Sequence, residues 1–168
     1  TAGFIGFHIA KLLSDEGFEV HGYDGLTDYY DINLKNARQN ILLQNPNFSS
    51  TLGMLQDIEK LDTLANSFQP DVIIHLAAQA GVRYSLDHPK TYIDSNILGT
   101  FNIIEIAKKL KLKHLLIAST SSVYGSNFKA PFNELDKTDT QLSIYAATKK
   151  ANESMAHSYS HLWKIPTT

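Results

Sequence analysis

Along the chain, stretches in which apolar residues recur every third or fourth position alternate with short runs in which nearly every position is apolar and often β-branched. The first pattern lays an apolar stripe along a helix, and the second suits a strand covered on both faces. Their alternation predicts an α/β fold of the Rossmann-like, doubly wound parallel type. Helical spacing runs from Ile5 to Asp15 and stops near Gly17, a residue suited to a left-handed cap. Glu19 to Tyr23 reads as a strand with Asp24 at its carboxyl end, Ile32 to Leu43 as a helix closed by Asn45-Pro46, and Thr51 to Leu55 as the next strand. Lys60 to Phe68 is helical, and Asp71 to Ala78, apolar almost throughout, reads as a central strand. Thr91 to Leu110 carries Ile93, Ile97, Phe101 and Ile104 at helical spacing. His114 to Ala118 is a further buried strand, and a last helix is expected from about Ser143 to Leu162. No repeat or low-complexity linker divides residues 1–168, so one domain is expected.

The ends change the picture. The chain opens without Met on Thr1-Ala2-Gly3-Phe4-Ile5-Gly6 and stops at Ile165 to Thr168, where a new extended run would begin. Both ends are expected to be cuts, leaving the first strand and a C-terminal portion outside. A net charge of −2, with no long run of like charge, argues against nucleic acid or a membrane surface as the main partner. The absence of cysteine rules out disulfides and thiolate chemistry, and fits a cytoplasmic protein. Seven histidines are present, but only His157 and His161 share a helical i,i+4 face, and without a third ligand no metal is assigned.

Gly3 and Gly6 open the first helix, whose N-terminal N–H groups and dipole favour an anion. Gly3 would let a pyrophosphate approach the backbone, and Gly6 would let helix and sheet pack closely. Taken alone, the pair serves packing equally well. Asp24, at the end of the second strand, stands where a carboxylate accepts hydrogen bonds from adenosine ribose hydroxyls and repels a 2′-phosphate, which selects NAD over NADP; a surface-turn aspartate is the plainer alternative. Tyr145 and Lys149, four apart in Tyr-Ala-Ala-Thr-Lys, leave the same helix face. A free phenol is a poor base at neutral pH, but an ammonium and a nicotinamide cation beside it stabilise the phenolate. Ser119 to Gly125 follows a buried strand, where doubly wound sheets hold ligands, although four hydroxyl residues there also make an ordinary polar turn.

Together, Thr1 to Gly6, Asp24, His75 to Ser85, Ser95 to Thr100, Ser119 to Gly125 and Tyr145 to Lys149 occur in the order and spacing of extended short-chain dehydrogenases/reductases, the NAD-dependent epimerase/dehydratase family, and cover nearly the whole chain. Leu26 to Asp31 and Ala78 to Ser85 further resemble UDP-glucuronate 4-epimerases. The resemblance implies that residues 1–168 are part of an NAD-binding Rossmann domain, with the substrate-binding C-terminal portion not covered. It implies Thr120, Tyr145 and Lys149 as the catalytic set, with Thr120 on the sugar O4. Phe4 and Ile5, after Gly3, would bind pyrophosphate through their backbone, Asp24 the ribose, Asp57 and Ile58 the adenine edge, and Leu76, Ala77 and Ala78 would line the cofactor. Asn96 either joins the cofactor site or hydrogen-bonds a loop, and Arg83 either reaches the substrate or pins the loop before Pro89. Gly25 and Gln56-Asp57 depart from the Asp-Asn and Gly-Asp common in relatives, which puts adenosine-side detail in doubt.

The implied reaction removes the O4 proton and C4 hydride, forms a 4-keto sugar and returns the hydride to the opposite face. Ser121 and Ser122 stand where dehydratases carry Asp-Glu and decarboxylases a Glu at the second position; neutral hydroxyls grip a carboxylate without supplying the acid and base for elimination. Epimerisation of UDP-glucuronate is therefore expected, in a homodimer, with UDP-galactose 4-epimerase, decarboxylase or dehydratase, and a non-catalytic NAD sensor as rivals. If Asp24 selects the cofactor, Asp24→Ala weakens NAD binding more than NADP binding in a fluorescence titration; equal losses would remove Asp24 from the site.

Overall fold

A computed structural model describes residues 1–168. They form two compact units, Thr1–Leu61 and Asp62–Thr168.

In the first unit, α1 (Phe4–Asp15) leads through Gly17, at φ +88°, into β1 (Val20–Asp24). α2 (Ile32–Leu42) follows, its first turn capped by Asp31, whose side chain accepts from the Asn33 N–H. β2 (Phe48–Leu52) then pairs in parallel with β1. This strand starts earlier than the expected Thr51, because the Phe48 side chain is buried with Ala10 and Leu42, which draws Phe48 into register with Val20. Asp57 accepts from the Lys60 N–H at 3.0 Å at the start of α3 (Ile58–Phe68).

In the second unit, β3 (Val72–His75) and β4 (His114–Ile117) make a parallel pair. β3 is shorter than the apolar run suggested: the ladder closes where Ala118 N–H donates to the His75 carbonyl, and Leu76 to Ala78 leave it. β3 pairs with β4 alone, and the central position read from its sequence is not seen among these residues. On the other side of β4, Thr167 bridges Leu115 in parallel, so the extended run expected near the C-terminus is present. The helical stretch is not uniform. α4 (Tyr84–Asp87) and α5 (Pro89–Tyr92) precede a π-helical segment, Ile93–Leu98, which runs into α6 (Gly99–Leu110). Thr100, Ile103, Ile104 and Ala107 of α6 are buried. A 3-10 turn, Ser121–Tyr124, follows β4, and α7 (Ile144–Trp163) begins at Ser143, whose hydroxyl accepts from the Ala146 N–H. α7 packs against the π segment, α6 and the 3-10 turn. No helix is long and apolar enough to cross a membrane.

Candidate functional site

In the first unit the glycine loop and Asp24 come together. Asp24 Oδ2 accepts from the Ala2 N–H at 2.8 Å and the Thr1 amino group at 2.9 Å, and Oδ1 accepts from the Leu26 N–H at 2.9 Å. Gly3 caps α1 without a side-chain hydrogen bond, and the first turn of α1, which includes Phe4, Ile5 and Gly6, contains no acidic residue. A Cβ on Gly3 would meet only the Tyr30 hydroxyl, at 3.9 Å, so the space above it is open. A Cβ on Gly6 would come within 3.1 Å of Thr1 Cα, a tight approach that the loop would have to yield by a few tenths of an ångström to admit. Arg38, which the sequence reading did not single out, donates from Nη1 to the Ala2 carbonyl and to the Tyr30 hydroxyl, both at 3.3 Å, and brings a cation to this loop. Its signal was the helical spacing from Asp31 to Arg38. Asp57 and Ile58 are exposed at the start of α3, while Gln56 buries its Oε1 without a partner.

In the second unit the groups gather around α7. Tyr145 and Lys149 lie on one face: Tyr145 is half-buried with its ring edge towards Tyr92, centroids 6.0 Å apart, and Lys149 is only 4% exposed. Burial pushes the Lys149 ammonium below its ordinary range, and the Glu153 carboxylate partly restores it. Asn96 is fully buried and acts as a clamp. Its Oδ1 accepts from the Gln79 N–H at 2.8 Å, and its Nδ2 donates to the Gln79 carbonyl at 3.0 Å and to Thr148 Oγ1 at 3.1 Å. Thr148 in turn donates to the Tyr145 carbonyl at 2.8 Å. The loop contact weighed for Asn96 is thus present. Tyr92, also fully buried, adds a second anchor by donating to the carbonyls of Ala80 and Gly81. The loop after β3, carrying Leu76, Ala77 and Ala78, is thereby held at its far end, at Gln79 to Gly81, and Ala77 and Ala78 stay exposed.

Thr120 caps the 3-10 turn, its Oγ1 accepting from the Ser122 N–H at 3.2 Å, which leaves the hydroxyl proton free to donate. Ser121 is exposed and Ser122 half-buried beside it. Arg83 is exposed at the start of α4 and joins no ion pair with an acidic residue. A cleft of about 340 Å³ opens at the end of β4, lined by Ser119, Lys149, Asn152 and Glu153 among others. Asn152 is 1% exposed, and neither its Nδ2 nor its Oδ1 has a partner. His75, at the end of β3, shares a hydrogen bond of 2.9 Å with Thr100 Oγ1. Burial, and secondarily the charge of Lys149, push its imidazole down to about 3, so it is neutral beside the lysine.

A family model described as GDP-mannose 4,6 dehydratase matches residues 1–168. The chain is 56% identical to a probable UDP-glucuronate 4-epimerase of Rhizobium meliloti, over the whole of this chain and 49% of that protein. It is 45% identical to UDP-glucuronate 4-epimerase 4 of Arabidopsis thaliana, again over this whole chain and over 38% of the relative. Among solved structures, UDP-glucuronic acid 4-epimerase from Bacillus cereus, in complex with UDP-glucuronic acid and NAD, superposes with a TM-score of 0.90 at 32% identity, covering 99% of this chain and 52% of that one. The chain thus spans about half the length of the relatives it matches.

The neutral state of His75 has a measurable consequence. Above about pH 6.5 the imidazole is neutral folded and unfolded; as pH falls from 6.5 towards about 3, only the unfolded chain takes up the proton, and stability is lost progressively. Across that window the loss approaches about 1.4 kcal/mol per pH unit. His75→Gln cannot titrate, so its unfolding free energy in urea declines less steeply between pH 6.5 and about 4.5, above the main carboxylate range. Parallel slopes for the two proteins would place a protonated His75 in the folded state.

Proposed function

The chain belongs to the GDP-mannose 4,6 dehydratase family of NAD-dependent epimerases and dehydratases, and on that premise we propose that the whole protein inverts C4 of a UDP-sugar, with UDP-glucuronate as the substrate. The observation that carries this reading is the arrangement of the second unit. Thr120 heads a turn packed on α7, Tyr145 and the buried Lys149 share the α7 face, and a neutral pair, Ser121-Ser122, follows Thr120.

The residues suit NAD. The open space over Gly3 and the uncapped start of α1 receive a pyrophosphate, and Asp24, already drawn to the same loop, is placed for a ribose. Asp57 and Ile58 remain exposed for an adenine edge. When bound, NAD would supply a reversible hydride acceptor for C4.

The Thr120 hydroxyl donates to the sugar O4 and fixes its direction. The Tyr145 phenolate takes the O4 proton as the carbinol carbon is oxidised, and the Lys149 ammonium stabilises that phenolate before and after the transfer. Turning the 4-keto sugar over in the pocket presents its other face, and Tyr145 gives the proton back, so one centre is inverted with no net oxidation. The uronate carboxyl is exposed to loss meanwhile, because beside a 4-ketone it is a β-keto acid. Hydroxyls of Ser121 and Ser122 hold it out of the decarboxylating geometry, and Arg83 supplies an unpaired cation for the anionic substrate.

The test is interconversion of UDP-glucuronate and UDP-galacturonate by the whole protein, followed by NMR alongside UDP-glucose. Turnover of UDP-glucuronate is expected, with Tyr145→Phe slower by about 100- to 10,000-fold. Faster turnover of UDP-glucose would replace the substrate, and NAD binding without turnover of either sugar would make the protein a sensor. In the same assay, replacing Ser121 and Ser122 together by alanine raises the fraction of UDP-pentose formed by decarboxylation; an unchanged ratio would mean that the carboxylate is held elsewhere.

A further inference from the structure

We propose that Glu153 is a positioning residue for the set Thr120, Tyr145 and Lys149: one carboxylate oxygen ties the strand exit that carries Thr120 to α7, and its negative charge, one turn beyond Lys149, holds that buried lysine as an ammonium. The inference rests on the epimerase reading for what those three residues do. It goes beyond that reading in assigning a role to the next position on the same face.

Three contacts carry it. Ser119, immediately before Thr120, donates its hydroxyl to Glu153 Oε1 at 2.5 Å. The other oxygen, Oε2, accepts from Lys150 Nζ at 3.1 Å, and the same ammonium donates to Thr138 Oγ1 at 2.5 Å. One carboxylate therefore joins the exit of β4, helix α7 and the loop between the 3-10 turn and α7. Hydrogen bonds to a charged acceptor are about twice as strong as neutral ones, so this junction is stiffer than the exposed Ser119 would suggest. Tyr145, Lys149 and Glu153 are each four residues apart, so a single helix face bears base, cation and counter-charge.

The charges around Lys149 leave this role to Glu153. On β3, His75 is neutral and offers no counter-charge. Asp94 in the π segment pairs with Lys90, Glu105 on α6 with Lys108 and Tyr159, and Glu153 itself with Lys150; what sets Glu153 apart is its place one turn beyond Lys149 on the same helix, lining the same cleft. Arg83, Asp87 and His88, on α4 and its junction with α5, are exposed, as is His157 on α7. The ionisable side chain of the 3-10 turn, Tyr124, stacks on Phe132. Burial pushes Lys149 down, and Glu153 is the group that pushes it back up. Without that charge the lysine sheds its proton at lower pH, and the phenolate of Tyr145 loses its support.

The experiment separates the two functions of the carboxylate. In the whole protein, Lys149 is titrated by NMR of lysine side chains labelled at the ε-carbon, its signal identified by loss in Lys149→Gln. Glu153→Gln keeps the shape and an acceptor for Ser119 but removes the charge; Lys149 then titrates at lower pH than in the wild type, and the alkaline limb of kcat moves down with it. Ser119→Ala keeps the charge but cuts the tie; kcat falls about tenfold with KM little changed, the Lys149 titration stays where it was, and Ser119→Thr restores kcat. An unmoved Lys149 titration in Glu153→Gln, or wild-type kcat in Ser119→Ala, overturns the proposal. If the protein turns over no UDP-sugar yet Lys149 still shifts in Glu153→Gln, the epimerase reading fails while the charge role of Glu153 stands.

Discussion

An ammonium taken almost wholly out of water is the constraint around which the second unit is built. Desolvating Lys149 is unfavourable by several kcal/mol unless the surroundings compensate, and a like charge beside it would make matters worse. Its neighbours respect both conditions. His75 is kept neutral by the same burial, its ring hydrogen-bonded to Thr100. Asn96 and Thr148 are polar without being charged, and Asn96 joins the loop after β3 to the turn of α7 that carries Tyr145 and Lys149.

On the proposed reading, the first unit meets the opposite electrostatic problem, that of receiving a pyrophosphate at a chain of slight net negative charge. It does so with local dipoles. The start of α1 is free of acidic side chains, and Arg38 stands at the Ala2 carbonyl. Asp24, the one carboxylate drawn into this loop, has its oxygens taken by N–H donors. Its charge is thereby confined to a short-range contact.

Much of this was legible because it follows from periodicity and local chemistry. The boundaries of α1, α2, α3, β1, β4 and α7 lie within a residue or two of the spacing-based reading, since each is set by an amphipathic stripe or a cap such as Ser143. β2 was misplaced because its start depends on where the Phe48 ring is buried, a tertiary fact absent from five residues of mostly hydroxyl character. The break in the helical run from Pro89 to Leu110 was invisible because the apolar spacing continues through it. Within the site, Tyr145 and Lys149 stood out as a pair, whereas Glu153 was not singled out. The i,i+4 step from Lys149 was the signal, but only the folded path of Ser119 gives it meaning.

The π-helical segment Ile93–Leu98 invites a different kind of reading, as a record of one residue too many. A π turn accommodates an inserted residue while the helix on either side keeps its phase. Tyr92 before it and Thr100 after it can therefore remain on their buried faces whether or not the extra residue is there. What the insertion alters is the wall in between, where Asn96 sits. Deleting one position would let the stretch from Pro89 to Leu110 relax into an ordinary helix with better hydrogen bonds, and would turn the Asn96 amide away from Gln79. The π segment thus sets the Asn96 amide against the loop at Gln79.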